Sequence, residues 1–115
     1  KDEVGILQGE VLGDARIVRV KSRLDQNDAP EFEEFLRSFK DEGVCKLVLD
    51  FHDVSHVASL AFGVLATLHA ELKAQGGGLV IMRPREDIRK LLEMLRLSKI
   101  IPIADSKAEA AQKFY

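Results

Sequence analysis

Tryptophan is absent from this chain, and cysteine and tyrosine occur once each. One cysteine excludes an internal disulfide framework and any paired-cysteine redox or zinc motif. Cys45 lies in the apolar run Val44-Cys45-Lys46-Leu47-Val48-Leu49 with no cation cluster to activate it, so it reads as a small core residue, not a reactive thiol. No apolar run approaches the roughly 20 residues that a bilayer-spanning helix needs. The opening Lys1-Asp2-Glu3, followed by Val4-Gly5-Ile6, lacks the apolar core of a secretory signal, and a cytoplasmic location is expected. Charge of one sign is also missing: 17 basic and 19 acidic residues leave a net charge of −2, interspersed along the chain. That excludes the broad basic field of a nonspecific nucleic-acid binder. The one local excess, Arg83, Arg85, Arg89, Lys90, Arg96 and Lys99, is interrupted by Glu86, Asp87 and Glu93 and reads as a solvated helix face. What the chain does have is 46% hydrophobic residues over 115 positions, enough for one compact domain, residues 1–115, with a core needing no metal or disulfide.

Two short strands, about 4–10 and 15–21, are expected around the turn pair Gly13-Asp14. From Asp28 the apolar period becomes helical, with Phe32, Phe35, Leu36 and Phe39 on one stripe opposite Glu33, Glu34 and Lys40. Asp28 and Glu31 have capping-box spacing, and Gly43 closes the helix. Residues 44–51 suit a strand covered on both faces. A helix over 59–74, a Gln75-Gly76-Gly77-Gly78 break, a strand over Leu79-Val80-Ile81-Met82 closed by Pro84, a helix over 86–96, a strand over 100–103 and a helix near 106–114 complete the pattern. This alternation predicts an α/β fold: a mixed, largely parallel sheet flanked by about four helices.

Several groups invite chemistry. The triple glycine precedes a strand and lacks a following Gly-Lys-Ser/Thr, so it reads as a helix-to-strand turn and not as a phosphate loop. His52, Asp53, His56 and Ser59 sit at the end of a parallel strand, where α/β proteins often place sites, and define a small hydrolase or metal-protein alternative. The two histidines fall in a loop, so their spacing does not align them on a helix face, and no convincing third ligand follows. His69 reads as a core-edge histidine. Ser59 has two readings: helix N-cap, or a phosphorylation site at the positive end of the helix dipole.

The helix after Ser59 begins Leu60-Ala61-Phe62-Gly63-Val64-Leu65-Ala66-Thr67-Leu68, apolar nearly all round, whereas a surface helix is ordinarily amphipathic. If Ala61, Leu65, Leu68 and Leu72 face the sheet, Leu60, Gly63, Val64 and Thr67 meet something else. That is either a neighbouring element of the same chain or a partner, and a close-approaching backbone would give Gly63 a purpose.

Read in order, these pieces resemble the STAS domains shared by bacterial anti-sigma-factor antagonists and the cytoplasmic tails of sulphate transporters. Ser22-Arg23-Leu24-Asp25 stands where the family often has Gly-Glu-Leu-Asp, with Ala29 opening the next helix. Leu47-Val48-Leu49-Asp50-Phe51, then Val54 and Val57, resemble its central strand and switch loop. Ala58-Ser59-Leu60-Ala61-Phe62-Gly63-Val64-Leu65 lies over its Asp-Ser-Ser/Thr-Gly-Leu-Gly-Val-Leu signature. Gly77-Gly78-Leu79-Val80-Ile81, Ile88, Leu91, Leu92, Leu97 and Ile100-Ile101 follow the family's later course. The resemblance implies a non-catalytic bacterial regulator of transcription that docks a protein partner, such as an anti-sigma-factor kinase, through Ser55, His56, Ser59, Leu60, Gly63, Val64 and Thr67. It implies no cofactor, no nucleic acid and no direct membrane insertion. In the antagonists, phosphorylation of a hydroxyl residue in the signature blocks docking; the matching position here is Leu60, while Ala58 replaces the acid and Ala61 the glycine. Ser59 matches the preceding serine, which is not usually the modified one. A STAS subunit of a stressosome or a lipid-transport complex is the alternative within the family. The terminal Phe114-Tyr115 would cap the core or support a homodimer.

Overall fold

The computed structural model describes the backbone of residues 6–20 and 23–114. The expected strand ends at Val4, Gly5 and Lys21, together with Ser22 and Tyr115, lie outside the described residues. Strands β1 (Ile6–Leu12) and β2 (Ala15–Val20) form the antiparallel hairpin. Then come β3 (Arg23–Leu24), a 3-10 turn (Gln26–Asp28), α1 (Ala29–Asp41), β4 (Lys46–Asp50), β5 (His56–Val57), α2 (Ser59–Ala74) and β6 (Gly78–Met82). Helix α3 (Glu86–Met94), a second 3-10 turn (Leu97–Lys99), β7 (Ile103–Ala104) and α4 (Lys107–Gln112) finish the chain. The main sheet has the order β1-β2-β4-β6-β7, parallel from β2 onward, and β3 and β5 pair as a separate two-stranded sheet.

Each parallel strand is laid beside the last in one direction. Right-handed crossovers then put α1, α2 and α3 on the same face. Leu47, Leu49, Leu79 and Ile81 meet Phe32, Leu36, Leu65, Leu68, Leu72, Ile88 and Leu92 there in one buried cluster. The opposite face, with Ile17, Val48, Val80 and Met82, is covered by Ala110 of α4 and by Phe114, which thus caps the core.

Three local expectations change. Glu31 is not the partner of Asp28. The Asp28 carboxylate instead accepts the Asp25 N–H at 2.9 Å, so the capping interaction belongs to the 3-10 turn one step earlier. The strand expected over 100–103 is reduced to Ile103–Ala104, because the N–H groups of Ile100 and Ile101 both bond back to the Leu97 carbonyl and curl that segment. Helix α3 stops at Met94, two residues early, because Arg96 adopts a left-handed backbone.

A charged clamp joins α1 to α2. Arg37 donates to both Glu71 carboxylate oxygens and to Glu33, and Lys40 donates to Glu71 at 2.9 Å. The Arg37 and Lys40 hydrogen bonds hold the Glu71 carboxyl down at about 2, and Glu71 and Glu33 raise the Arg37 guanidinium above its ordinary value. At the other end of α2, the turn into β6 is built on close approach. A Cβ on Gly77 would stand 1.8 Å from the Cys45 carbonyl oxygen, and that same oxygen accepts the Gly78 N–H at 2.8 Å. His69, only 6% exposed, accepts the Leu79 N–H on Nδ1 at 2.9 Å and is hydrogen-bonded to the Ile100 backbone. The triple glycine is therefore a structural turn packed under an imidazole.

Two outcomes follow from this packing. Gly77→Ala forces the turn off Cys45 and should lower stability by about 1–3 kcal/mol or more, read as a lower urea midpoint with an unchanged slope. Burial first, and then the Lys73 charge, lower the His69 pKa from its ordinary 6.5, so the fold requires the neutral ring. The unfolded chain takes up this proton before the folded one, so stability is full above pH 6.5 and falls as the pH drops below it; a second loss follows below 4.5, toward about 2, as Glu71 is protonated. Thermal melts across pH 2–8 should show both steps, and His69→Gln should remove the first.

Candidate functional site

Asp50 ends β4 with only 3% of its surface exposed. Its Oδ1 accepts the His52 N–H at 3.0 Å and its Oδ2 accepts from the Arg83 guanidinium at 2.8 Å. A buried carboxylate is tolerable because both oxygens are engaged and one partner is a cation. Arg83 follows β6 with φ at +55°, a left-handed conformation uncommon for a residue with a side chain. The Phe51 N–H bonds to the Met82 carbonyl at 2.8 Å, and the Val54 N–H to the Phe51 carbonyl at 2.9 Å. With Phe51, Val54 and Val57 buried, the loop leaving β4 is pinned from beneath at every third residue.

The loop is pinned from the side as well. β5 pairs with β3 through Arg23↔His56 and Leu24↔Val57, and the Ala58 N–H extends the ladder to the Leu24 carbonyl at 2.8 Å. Asp25 accepts from Arg23 at 3.3 Å and lies 3.5 Å from His56 Nε2, while Arg19 pairs with Asp53 at 3.2 Å. These bonds bring the chain up at the sheet's edge and start α2 at Ser59.

Helix α2 turns Ala61, Phe62, Leu65, Leu68, His69 and Leu72 inward. Leu60 stays 52% exposed, Gly63 and Thr67 are exposed, and Val64 is half-buried against the core. A Cβ on Gly63 would meet nothing within 4 Å, so the close approach that its position suggested is not made within the described residues. Ser55 and His56 are exposed immediately before this stripe. Ser59 is not the N-cap. Ala58 holds that position with extended backbone angles, no side-chain cap bond is made, and Ser59 stands exposed as the first helical residue.

The other group of residues does not converge. Asp53 is drawn to Arg19, His56 to Asp25, and His52 offers its backbone N–H to Asp50 and its carbonyl to Arg85. Among the described residues no three His, Cys, Asp or Glu side chains are grouped so as to hold a metal ion. Among them, too, no helix is long and apolar enough to cross a membrane. Sequence reasoning missed the Asp50–Arg83 pair and the β3–β5 sheet. An acid closing an apolar strand was a visible signal for the first; its partner depended on the β4–β6 register.

Comparison with known proteins places this geometry. The family model of the STAS domain matches residues 7–110. A Thermotoga maritima protein named as a candidate anti-sigma factor antagonist is 24% identical over 105 residues, covering 90% of this chain and 93% of that protein. A crystal structure of a T. maritima protein so named superposes with a TM-score of 0.86 at 23% identity, over 93% of this chain and 92% of that one. The anti-sigma factor antagonist SpoIIAA, in its unphosphorylated form, gives 0.70 at 19% identity over 92% and 94% of the two chains.

Removing the carboxylate that pins the loop should be costly. Asp50→Ala leaves the His52 N–H and the Arg83 guanidinium without their buried acceptor, and should lower unfolding free energy by about 2–4 kcal/mol, less than for a fully buried pair because Arg83 is partly solvated. Arg83→Gln should cost less, about 1 kcal/mol, in the same denaturation assay.

Proposed function

The chain belongs to the STAS domain family, and on that premise we propose that it is a non-catalytic module that binds an anti-sigma factor through its switch loop and the start of α2. The contact residues are Ser55, His56, Ser59, Leu60, Gly63, Val64 and Thr67, and docking proceeds without phosphorylation at the family's usual position. The observation that carries this reading is the exposure of Leu60, 52%, in the first turn of α2, directly after a loop fixed by buried anchors. A half-exposed leucine beside an open Gly63 offers a flat apolar contact that a partner helix can approach closely. Covering Leu60 is worth about 1–2 kcal/mol, and a rigid loop avoids much of the ordering cost of binding.

Leucine also accounts for regulation by omission. It has no oxygen to accept a phosphoryl group, so the charge that would repel a partner at this point is never installed there. On this reading, docking is governed by how much of each protein is present and not by a covalent mark on this chain.

The test is capture of the native partner by the intact chain and by Leu60→Asp and Val64→Asp variants. The partner is expected to be a kinase-like anti-sigma protein. Leu60→Asp should keep the melting temperature within a few degrees, because the side chain is exposed, and should weaken capture by about 100-fold or more, since a carboxylate must be desolvated in an apolar contact. Unchanged capture by both variants would show that the partner binds elsewhere. Incubation with the partner kinase and ATP should leave the intact mass unchanged, and a phosphoryl group mapped to Ser59 would contradict the unmodified reading.

A further inference from the structure

At the C-terminal end of α3 and in the turn after it, Met94, Leu95 and Ile100 stand 77%, 52% and 55% exposed, with Leu91 at 39%. Among the described residues the only other large apolar side chain this exposed is Leu60. At about 100° per residue, α3 turns Ile88 and Leu92 onto the sheet and carries the apolar arc onward through Leu91, Met94 and Leu95. The other flank of α3 is occupied by Arg89, paired with Asp105 at 2.7 Å. Ile100 joins the arc because the 3-10 turn folds it back, with its backbone bonded to His69. His69 lies nine residues beyond Leu60 on α2, about 14 Å along the helix axis at 1.5 Å per residue, so the two apolar surfaces are separate.

The charges around this patch point to what covers it. Residues 88–100 hold four basic residues and one acid, Glu93, within a chain of net charge −2. Lys90, Arg96 and Lys99 are exposed, and none of them enters an ion pair among the described residues. Arg96 is placed there against its backbone preference: φ is +63° and ψ +15°, a left-handed helix-ending position that glycine occupies without penalty. A cation at that point gives up backbone stability and stands directly beside Leu95.

A second copy of this chain would set these cations against their own counterparts. An anionic membrane is read by clusters of four to eight Lys or Arg, more than the three unpaired cations here. An amphipathic helix with an apolar stripe and acidic flanks satisfies both the grease and the charge. We propose that the surface formed by α3 and the turn after it is a second docking site, which takes an acidic amphipathic helix of a protein partner independently of the start of α2.

The experiment is an NMR titration of the full chain, isotope-labelled, with three probes: a synthetic helix bearing a leucine stripe flanked by glutamates, its twin with lysines in their place, and phosphatidylglycerol vesicles. The glutamate helix should shift amides over residues 88–101 and leave those over 55–67 in place. Lys99→Glu should weaken it at least tenfold, and Leu60→Asp should not change it. Arg96→Gly should weaken it several-fold while keeping or raising the melting temperature, a split that a purely structural role for Arg96 does not give. Equal binding of the lysine twin or the vesicles at these amides, concentration-dependent shifts there without any probe, or no shift over 88–101 would each overturn the proposal.

Discussion

Asp50 closes β4 with one carboxylate oxygen on the His52 N–H and the other on Arg83, at 3.0 and 2.8 Å, beneath a loop whose apolar side chains are buried. A carboxylate in that position is costly unless every lone pair it turns inward finds a donor. Satisfied, it does two things at once: it ties the end of β4 to Arg83 at the end of β6, and it fixes His52 in the loop. Phe51, Val54 and Val57 are buried along the same loop, and Ala58 reaches the Leu24 carbonyl. The orientation of α2 follows, and with it the outward placement of Leu60.

The one-sided arrangement of helices explains why such a surface exists at all. α1, α2 and α3 share one face of the sheet, and the first three turns of α2, the middle helix, are apolar almost all round. Its inner arc is consumed by the sheet and one flank by the Arg37–Glu71 clamp to α1. In its first turns Ala61, Phe62 and Leu65 are buried, while a Cβ on Gly63 would meet no described residue within 4 Å. An apolar surface left open on a rigid frame is the physical form of a binding module: the frame bears the stability, and the open turn is free to be recognised.

Much of this was legible in the residues. The period change at Asp28 marks α1, the continuous run ending at Asp50 marks a doubly covered strand, and the greasy opening of α2 marks an unusual helix. What failed was local and had local causes. Asp28 caps a 3-10 turn because Asp25 precedes it at the same spacing that Glu31 follows it. Ser59 lost the cap to Ala58 because the β3–β5 ladder holds Ala58 extended. Ile100 and Ile101 looked like a strand since both are apolar, yet one is buried and the other exposed on a turn. Arg83, Arg19 and Asp25 were invisible as loop anchors, because their partners lie 33, 34 and 31 residues away and meet them only through strand register.

What distinguishes this molecule as a docking module is where a partner touches it. Amide hydrogen exchange on the chain, free and saturated with the proposed anti-sigma partner, measures this directly. The prediction is added protection over residues 55–67, with the helix amides after Ser59 slowed most and the outer face of α1 around Glu34 unchanged. Protection confined to α1, with residues 55–67 exchanging as in the free chain, would contradict it.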